Sequence, residues 1–367
     1  MKITGNLTVR SKETAKLSAN LAQYSALVPK AELHVHLEGA IQPETLIILA
    51  RRNGAALPVQ TVEEMQRWFA FRDFSHFLEV YLAISRCLKT EEDYELIAYE
   101  FGASMAHQQI RYAEVTFSPS THEFTLGVPF DTYFAGLTRG RERARAEFGV
   151  EMRWVFDIVR SIPDESANLR RADYTVAVAK EGMHDGVVAL GLGGAEIGYP
   201  PEQFAAWFEQ GRAVGLHSVP HAGETVGPES IWGSIHALGA ERIGHGVRAI
   251  EDPALIDYLQ EHGIPLEVSP TSNIRLGVYA TIHHHPLPLL HAVGIPVTVN
   301  SDDPPLFNTT LTREVELLFE GFGFDVNTVN DILLNGVRHS FLPAEQKQAM
   351  EAEFQAEMAK LRRELGL

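Results

Sequence analysis

The second half of the chain repeats one pattern: apolar residues at helical spacing, a glycine, then a short apolar run. In one copy Asp252 is placed to cap a helix and Pro253 takes its first position, where a missing N–H goes unnoticed. Leu255, Ile256 and Leu259 carry the helical period and Gly263 supplies the stop, because glycine enters the left-handed region without Cβ strain. A strand is predicted at 264–268, and the pattern recurs at Gly294 with a strand at 295–300. An earlier copy opens at Pro201, packs Phe204, Trp207 and Phe208, stops at Gly215 and leads into a strand at 217–221. In the first half, Tyr94, Ile97, Phe101 and Met105 mark one helix face before a strand at 112–117. Further strands are predicted at 152–159, 187–191 and 242–245, and the first at 32–37.

Alternating helices and strands imply a parallel sheet. Eight candidate strands, each followed by a helical stretch, predict an α/β fold closed into a (β/α)8 barrel of the TIM type. An extra helical insertion is expected after strand 1, at 51–89, where Thr61 and Glu64 form a capping box. Residues 1–30 read as an N-terminal extension, 31–342 as the barrel, and 343–367 as a terminal helix of the same domain. An open doubly wound sheet is the alternative, but no glycine-rich phosphate loop follows the first strand.

Composition narrows the function. The 367 residues are 45% hydrophobic, and 31 basic against 48 acidic residues give a net charge of −17. That balance argues against nucleic acid or a membrane surface as partner, since both need Lys and Arg patches. Cys87 is the only cysteine, so no intrachain disulfide forms and a zinc site built from several thiolates is excluded. No signal-like apolar stretch and no run of membrane-spanning length is present, so a cytoplasmic location is expected.

Residues two apart on a strand share a face, so His34 and His36 point the same way. Four more clusters stand at predicted strand ends: Gly193-Gly194, His221-Ala222-Gly223-Glu224, Gly244-His245-Gly246 and Ser301-Asp302-Asp303-Pro304. In a β/α barrel those ends converge on one rim, where the active site lies. Three imidazoles and a carboxylate suit zinc with a position left open for water. Each piece also has a plainer reading: His221 as a core histidine, Asp302 and Asp303 as a helix cap, the glycines as strand ends. Their joint order at the strand ends favours the metal site. The run His283-His284-His285, in a loop ahead of a helix, reads as solvated and away from the rim.

These motifs resemble the adenosine deaminase family of the amidohydrolase superfamily. The resemblance rests on Pro29-Lys30-Ala31-Glu32-Leu33-His34-Val35-His36-Leu37-Glu38-Gly39, His221-Ala222-Gly223-Glu224, Arg242-Ile243-Gly244-His245-Gly246, Pro270-Thr271-Ser272-Asn273 and Asn300-Ser301-Asp302-Asp303-Pro304. It implies one zinc ion on His34, His36, His221 and Asp302. It further implies that Glu224 is protonated and donates to purine N1, and that His245 orients or deprotonates the attacking water with Asp302 sharing the task. Asp303 would meet N7 and the Gly194 amide N3, with His36 and Glu38 also near the substrate. The reaction so implied is hydrolytic deamination of a small 6-aminopurine, with adenosine and deoxyadenosine (giving inosine and ammonia) as the first expectation.

The chain departs from the family pattern at two points. Glu38 stands where typical adenosine deaminases carry an Asp that contacts the ribose 5′-hydroxyl, and Gly193-Gly194-Ala195-Glu196 lacks the Asp that commonly follows the second glycine. Both touch the nucleoside end of the pocket. A 5′-substituted adenosine such as 6-aminodeoxyfutalosine, of menaquinone biosynthesis, is therefore an alternative substrate, as is free adenine. The aromatic segment 71–78 is expected to cover the pocket. An amidase or phosphotriesterase-like hydrolase and a non-catalytic nucleoside binder are the readings from other classes. No lysine stands where a second bridging metal would need a carbamate, and Glu224 suits a ring-nitrogen donor.

Overall fold

Eight parallel strands lie side by side in chain order, because each apolar run is returned to the same sheet edge by the helix that follows it. The computed structural model describes residues 17–71, 74–162 and 164–367. The strands are β1 Lys30–His36, β2 Ile110–Phe117, β3 Glu151–Val159, β4 Val187–Gly193, β5 His217–Ala222, β6 Ile243–His245, β7 Leu266–Val268 and β8 Val297–Val299. One parallel bridge between Val35 and Asp302 nearly closes the ring. There the His36 N–H donates to the Asp302 carbonyl at 2.8 Å, and the Asp302 N–H donates to the His34 carbonyl at 3.2 Å.

Caps fall where the sequence puts them. Asp252 accepts from the Ala254 N–H at 2.9 Å and Gly263 ends that helix at φ 62°. The Thr61 and Glu64 capping box is formed. The insertion after β1 starts earlier than expected, with Pro43 opening a helix Pro43–Asn53, followed by Val62–Trp68 and Phe74–Ser85. The crossover helix Glu91–His107 buries the predicted face of Tyr94, Ile97, Phe101 and Met105. Of the N-terminal extension only 17–30 is described; its helix Ala19–Leu27 packs near the terminal helix Ala344–Leu365 through the Asn20 amide, which donates to the Leu365 carbonyl. No helix among the described residues is long and apolar enough to cross a membrane.

The outward faces of β1 and β7 (Leu33, Val35, Leu266, Val268) are buried beneath helices, but the barrel interior is partly ionic. Arg242, 1% exposed, donates to Glu267 at 2.6 Å, to Glu114 and to the His339 carbonyl at 2.8 Å. The Phe341 ring covers its guanidinium at 3.8 Å. Removing one partner from such a network strands the others without water. Arg242→Met leaves Glu114 and Glu267 without their shared guanidinium in the interior and should cost about 3–5 kcal/mol, read as the shift in urea unfolding. A variant as stable as the parent would show that this network does not hold the barrel together.

Candidate active site

Because side chains alternate along β1, His34 and His36 both face the barrel axis. β5 brings His221 beside them, β6 brings His245, and the turn after β8 brings Asp302. The His36 and His221 Nε2 atoms are 3.2 Å apart. Asp302 Oδ1 lies 3.4 Å from His36 Nε2 and 3.6 Å from His34 Nε2. Two ligands of one tetrahedral zinc ion, each at its usual bond length, stand about 3.3 Å apart. The buried His34 Nε2 and His221 Nδ1 have no hydrogen-bond partner. These separations and the unclaimed imidazole nitrogen of His34 fit a cluster able to hold a metal ion.

The charges agree. Burial disfavours a proton on His34, but the carboxylates of Asp302 and Glu267 outweigh it and push its pKa up to about 10. Burial, reinforced by the His34 charge, keeps His221 neutral, and burial does the same for His36. The cluster thus attracts positive charge at its centre while leaving its other imidazoles in the form that ligates. Burial also holds His245 neutral, with its pKa lowered to about 4.

Three carboxyl groups beside the cluster divide into two states. Burial pushes Glu224 well above the usual carboxylate range, and the charges of Asp302 and Glu196 add to it. Asp303 is raised by burial and by its neighbour Asp302. Burial pushes Asp302 the same way, but the close approach of His34 and the other surrounding imidazoles holds it well below that range. A neutral acid beside an ionised base is the arrangement that proton transfer needs. Glu224 Oε1 is buried without a partner, 3.8 Å from His245 Nε2, and Asp302 Oδ2 lies 3.9 Å from the same nitrogen.

Backbone geometry aims these groups. His245 and Asp302 take left-handed conformations, at φ 61° and 64°, which cost non-glycine residues of order 1–3 kcal/mol and persist only where surroundings impose them. A Cβ on Gly39 would lie 1.7 Å from Asp303 Oδ1, so only glycine there admits that carboxyl.

His36, Gly194, His221, Glu224, His245, Asp302 and Asp303 line one cavity of about 250 Å³. His34 lies just behind its wall, 2% exposed. Glu38 is fully buried and outside the lining, its Oε1 accepting from the Ser118 N–H at 3.1 Å and bonded to His122 Nε2 at 3.0 Å. Phe74, Phe77 and Leu78 of the aromatic segment form one wall with Tyr81 and Leu82 just after it; Arg72 and Asp73 of that segment lie outside the described residues. His283 and His284 are exposed as expected. His285 is not: it is 4% exposed and packed near the rim, because Pro286 and the helix Leu287–Ala292 turn it inward.

Several participants escape the motif reading. Glu267 accepts from His34 Nδ1 at 2.9 Å, fixing that ring with Nε2 toward the centre. Glu196 accepts from the N–H groups of Gly223, Glu224 and Thr225 at 2.9–3.0 Å and so braces the turn that carries Glu224. Arg160 donates to the His221 carbonyl at 2.8 Å. Asp157, on β3, lines the cavity with a pKa raised by burial to about 8. A Cβ on Gly193 would lie 2.2 Å from its Oδ2; a strand carboxylate opposite a glycine-rich strand end was the one signal for it in the sequence.

Residues 29–357 match the family described as adenosine deaminase. The aminodeoxyfutalosine deaminase of Streptomyces avermitilis is 40% identical over 353 residues, 96% of this chain and 97% of that protein. The adenine deaminase of Cupriavidus necator is 36% identical over 342 residues, 93% and 94% of the two chains. A crystal structure of an amidohydrolase from Burkhoderia ambifaria with bound zinc superposes with a TM-score of 0.87 at 26% identity, covering 96% of each chain. With its barrel, its metal-ready cluster and this length of similarity, the chain belongs to the adenosine deaminase family and is a hydrolytic deaminase of aminopurines.

Proposed function

We propose that the chain removes the 6-amino group of an adenosine substituted at its 5′ position, 6-aminodeoxyfutalosine first, with one zinc ion held by His34, His36, His221 and Asp302. The observation that carries the substrate is the similarity to an aminodeoxyfutalosine deaminase over nearly the whole of both chains. The zinc-bound relative supports the choice of metal.

Zinc in that cluster supplies a Lewis acid that brings the pKa of water toward neutrality. The chain's own groups do the rest. Neutral Glu224 donates to ring N1 and makes C6 electrophilic. Neutral Asp303 donates to N7, and the Gly194 N–H meets N3. Ionised Asp302 takes one proton from the water as its oxygen bonds to C6, and hands it to the amino nitrogen. The C6–N bond then breaks, ammonia leaves, and the remaining hydroxyl proton restores Glu224. N1 keeps its hydrogen, as the product requires.

The far end of the cavity ranks the substrates. Adenosine was the first expectation, but Glu38 stands outside the cavity lining, with one carboxylate oxygen taken by Ser118 and His122. Arg171 is the one Arg or Lys among the described residues lining the cavity. Its guanidinium is held by the Ser120 carbonyl at 3.3 Å and Thr125 Oγ1 at 3.1 Å. A cation in a pocket of so acidic a chain suits an anionic group on a 5′ substituent. Free adenine is the second reading, favoured by the Cupriavidus necator relative.

Zinc-loaded protein, with one ion per chain by elemental analysis, should show a higher kcat/KM for 6-aminodeoxyfutalosine than for adenosine or adenine; adenine in first place would establish the second reading instead. Arg171→Met should lower kcat/KM about 10–100-fold for a 5′ substituent bearing an acid, as loss of a charged hydrogen bond does, and leave adenosine turnover unchanged. An equal loss on both substrates would remove Arg171 from substrate selection. Because Glu224 acts as its protonated form, kcat should fall as pH rises through its elevated pKa, and Glu224→Gln should be nearly inactive at every pH. An unchanged alkaline limb in a residually active Glu224→Gln would assign that limb elsewhere.

A further inference from the structure

Two of the segments singled out in the sequence, Pro270-Thr271-Ser272-Asn273 and His283-His284-His285, meet behind His245. Asn273 is fully buried and His285 nearly so. Their hydrogen bonds form one chain: Leu287 N–H to His285 Nδ1 at 3.2 Å, His285 Nε2 to Asn273 Oδ1 at 3.1 Å, and Asn273 Nδ2 to His245 Nδ1 at 3.3 Å.

A backbone N–H only donates, so the first link fixes the sense of all the others. His285 Nδ1 must accept, which puts the ring hydrogen on Nε2. Asn273 Oδ1 must then accept that hydrogen, which turns its NH2 toward His245. His245 Nδ1 must accept in turn, and the only place left for a hydrogen on a neutral ring is Nε2. Burial holding His285 neutral, with its pKa lowered to about 3, agrees with this polarity.

We propose that Asn273 and His285 are positioning residues that hold His245 as the tautomer with hydrogen on Nε2, so that His245 presents an N–H donor, not a base, to the attacking oxygen. Of the two tasks open to His245, orienting and deprotonating, the chain selects the first. The water proton then goes to Asp302. Only the catalytic consequence rests on the deaminase reading; the tautomer needs no substrate.

The test is a long-range 1H–15N correlation spectrum of the full-length, zinc-loaded protein with 15N-labelled histidine, the His245 signals being identified by their loss in His245→Ala. The expected pattern is an unprotonated Nδ1 and a protonated Nε2. Asn273→Asp replaces the donor with an acceptor; hydrogen should move to Nδ1, and kcat should fall about 10–100-fold at unchanged zinc content. His285→Gln, which still offers an N–H to Asn273, should restore more of the wild-type pattern than His285→Leu. Hydrogen on Nδ1 in the wild type would overturn the proposal whether or not any variant folds, and so would Asn273→Asp with an unaltered His245 spectrum. Absence of all aminopurine turnover with the expected spectrum would sink the proposed function and spare the tautomer.

Discussion

Asp302 joins the fold to the chemistry. Its backbone closes the ring against β1 by bonds to His34 and His36, and its side chain reaches the same two residues' imidazoles. The barrel therefore cannot close in a different register without moving the carboxylate away from the histidines. A one-residue slip would also turn both imidazoles outward, since side chains alternate. The left-handed backbone at Asp302 is the cost of doing both tasks from one residue. The same contact that ends the sheet sets the separations of the proposed ligands.

Beneath that joint runs a line of alternating charge: Glu114, Arg242, Glu267, His34, Asp302. Each member is buried, and each has a partner of opposite sign on either side or at its end. Burial alone would raise the pKa of Glu267, yet it stays below its ordinary value because Arg242 and His34 outweigh the loss of water. The line explains why His34, and not His36 or His221, attracts a proton. It also explains why His34 turns Nε2 to the centre: Glu267 occupies its other nitrogen. Loss of Arg242 would thus loosen an imidazole as well as a core.

The strand ends were legible because each is a short apolar run that stops at a glycine or a polar cluster, and the barrel sends all such ends to one rim. His34, His36, His221, Glu224, His245, Asp302 and Asp303 meet there because strand period and topology leave them no other place. What stayed hidden was set by tertiary packing. Arg242 and Glu267 occur inside runs read as ordinary strand, and nothing in their spacing says that they pair across the interior. Glu196 follows a strand end, but its three backbone partners lie 27 to 29 residues further on. His285 read as solvated because its run lies in a Pro-bounded loop ahead of a helix; the turn into that helix separates it from His283 and His284. Glu38 carries the motif, but its bonds to His122 and Ser118 were not legible, since those residues lie on a segment that no local pattern ties to β1.

The two ends of the cavity differ in how tightly they are constrained. At the reacting end, Gly39 admits Asp303, Gly193 admits Asp157, and a cascade of donors from a backbone N–H orients His245. A substitution there meets atoms within bonding distance, so the chemistry resists change. At the other end the wall is made of side-chain tips from the helices Phe74–Ser85 and Glu165–Gly182, including Arg171. Those tips can change size or charge without moving a ligand or a strand. A barrel built this way keeps one reaction while its substrates diverge. This is the physical reason that relatives of similar identity act on aminodeoxyfutalosine and on adenine, and that the substrate must be read from the wall and not from the metal site.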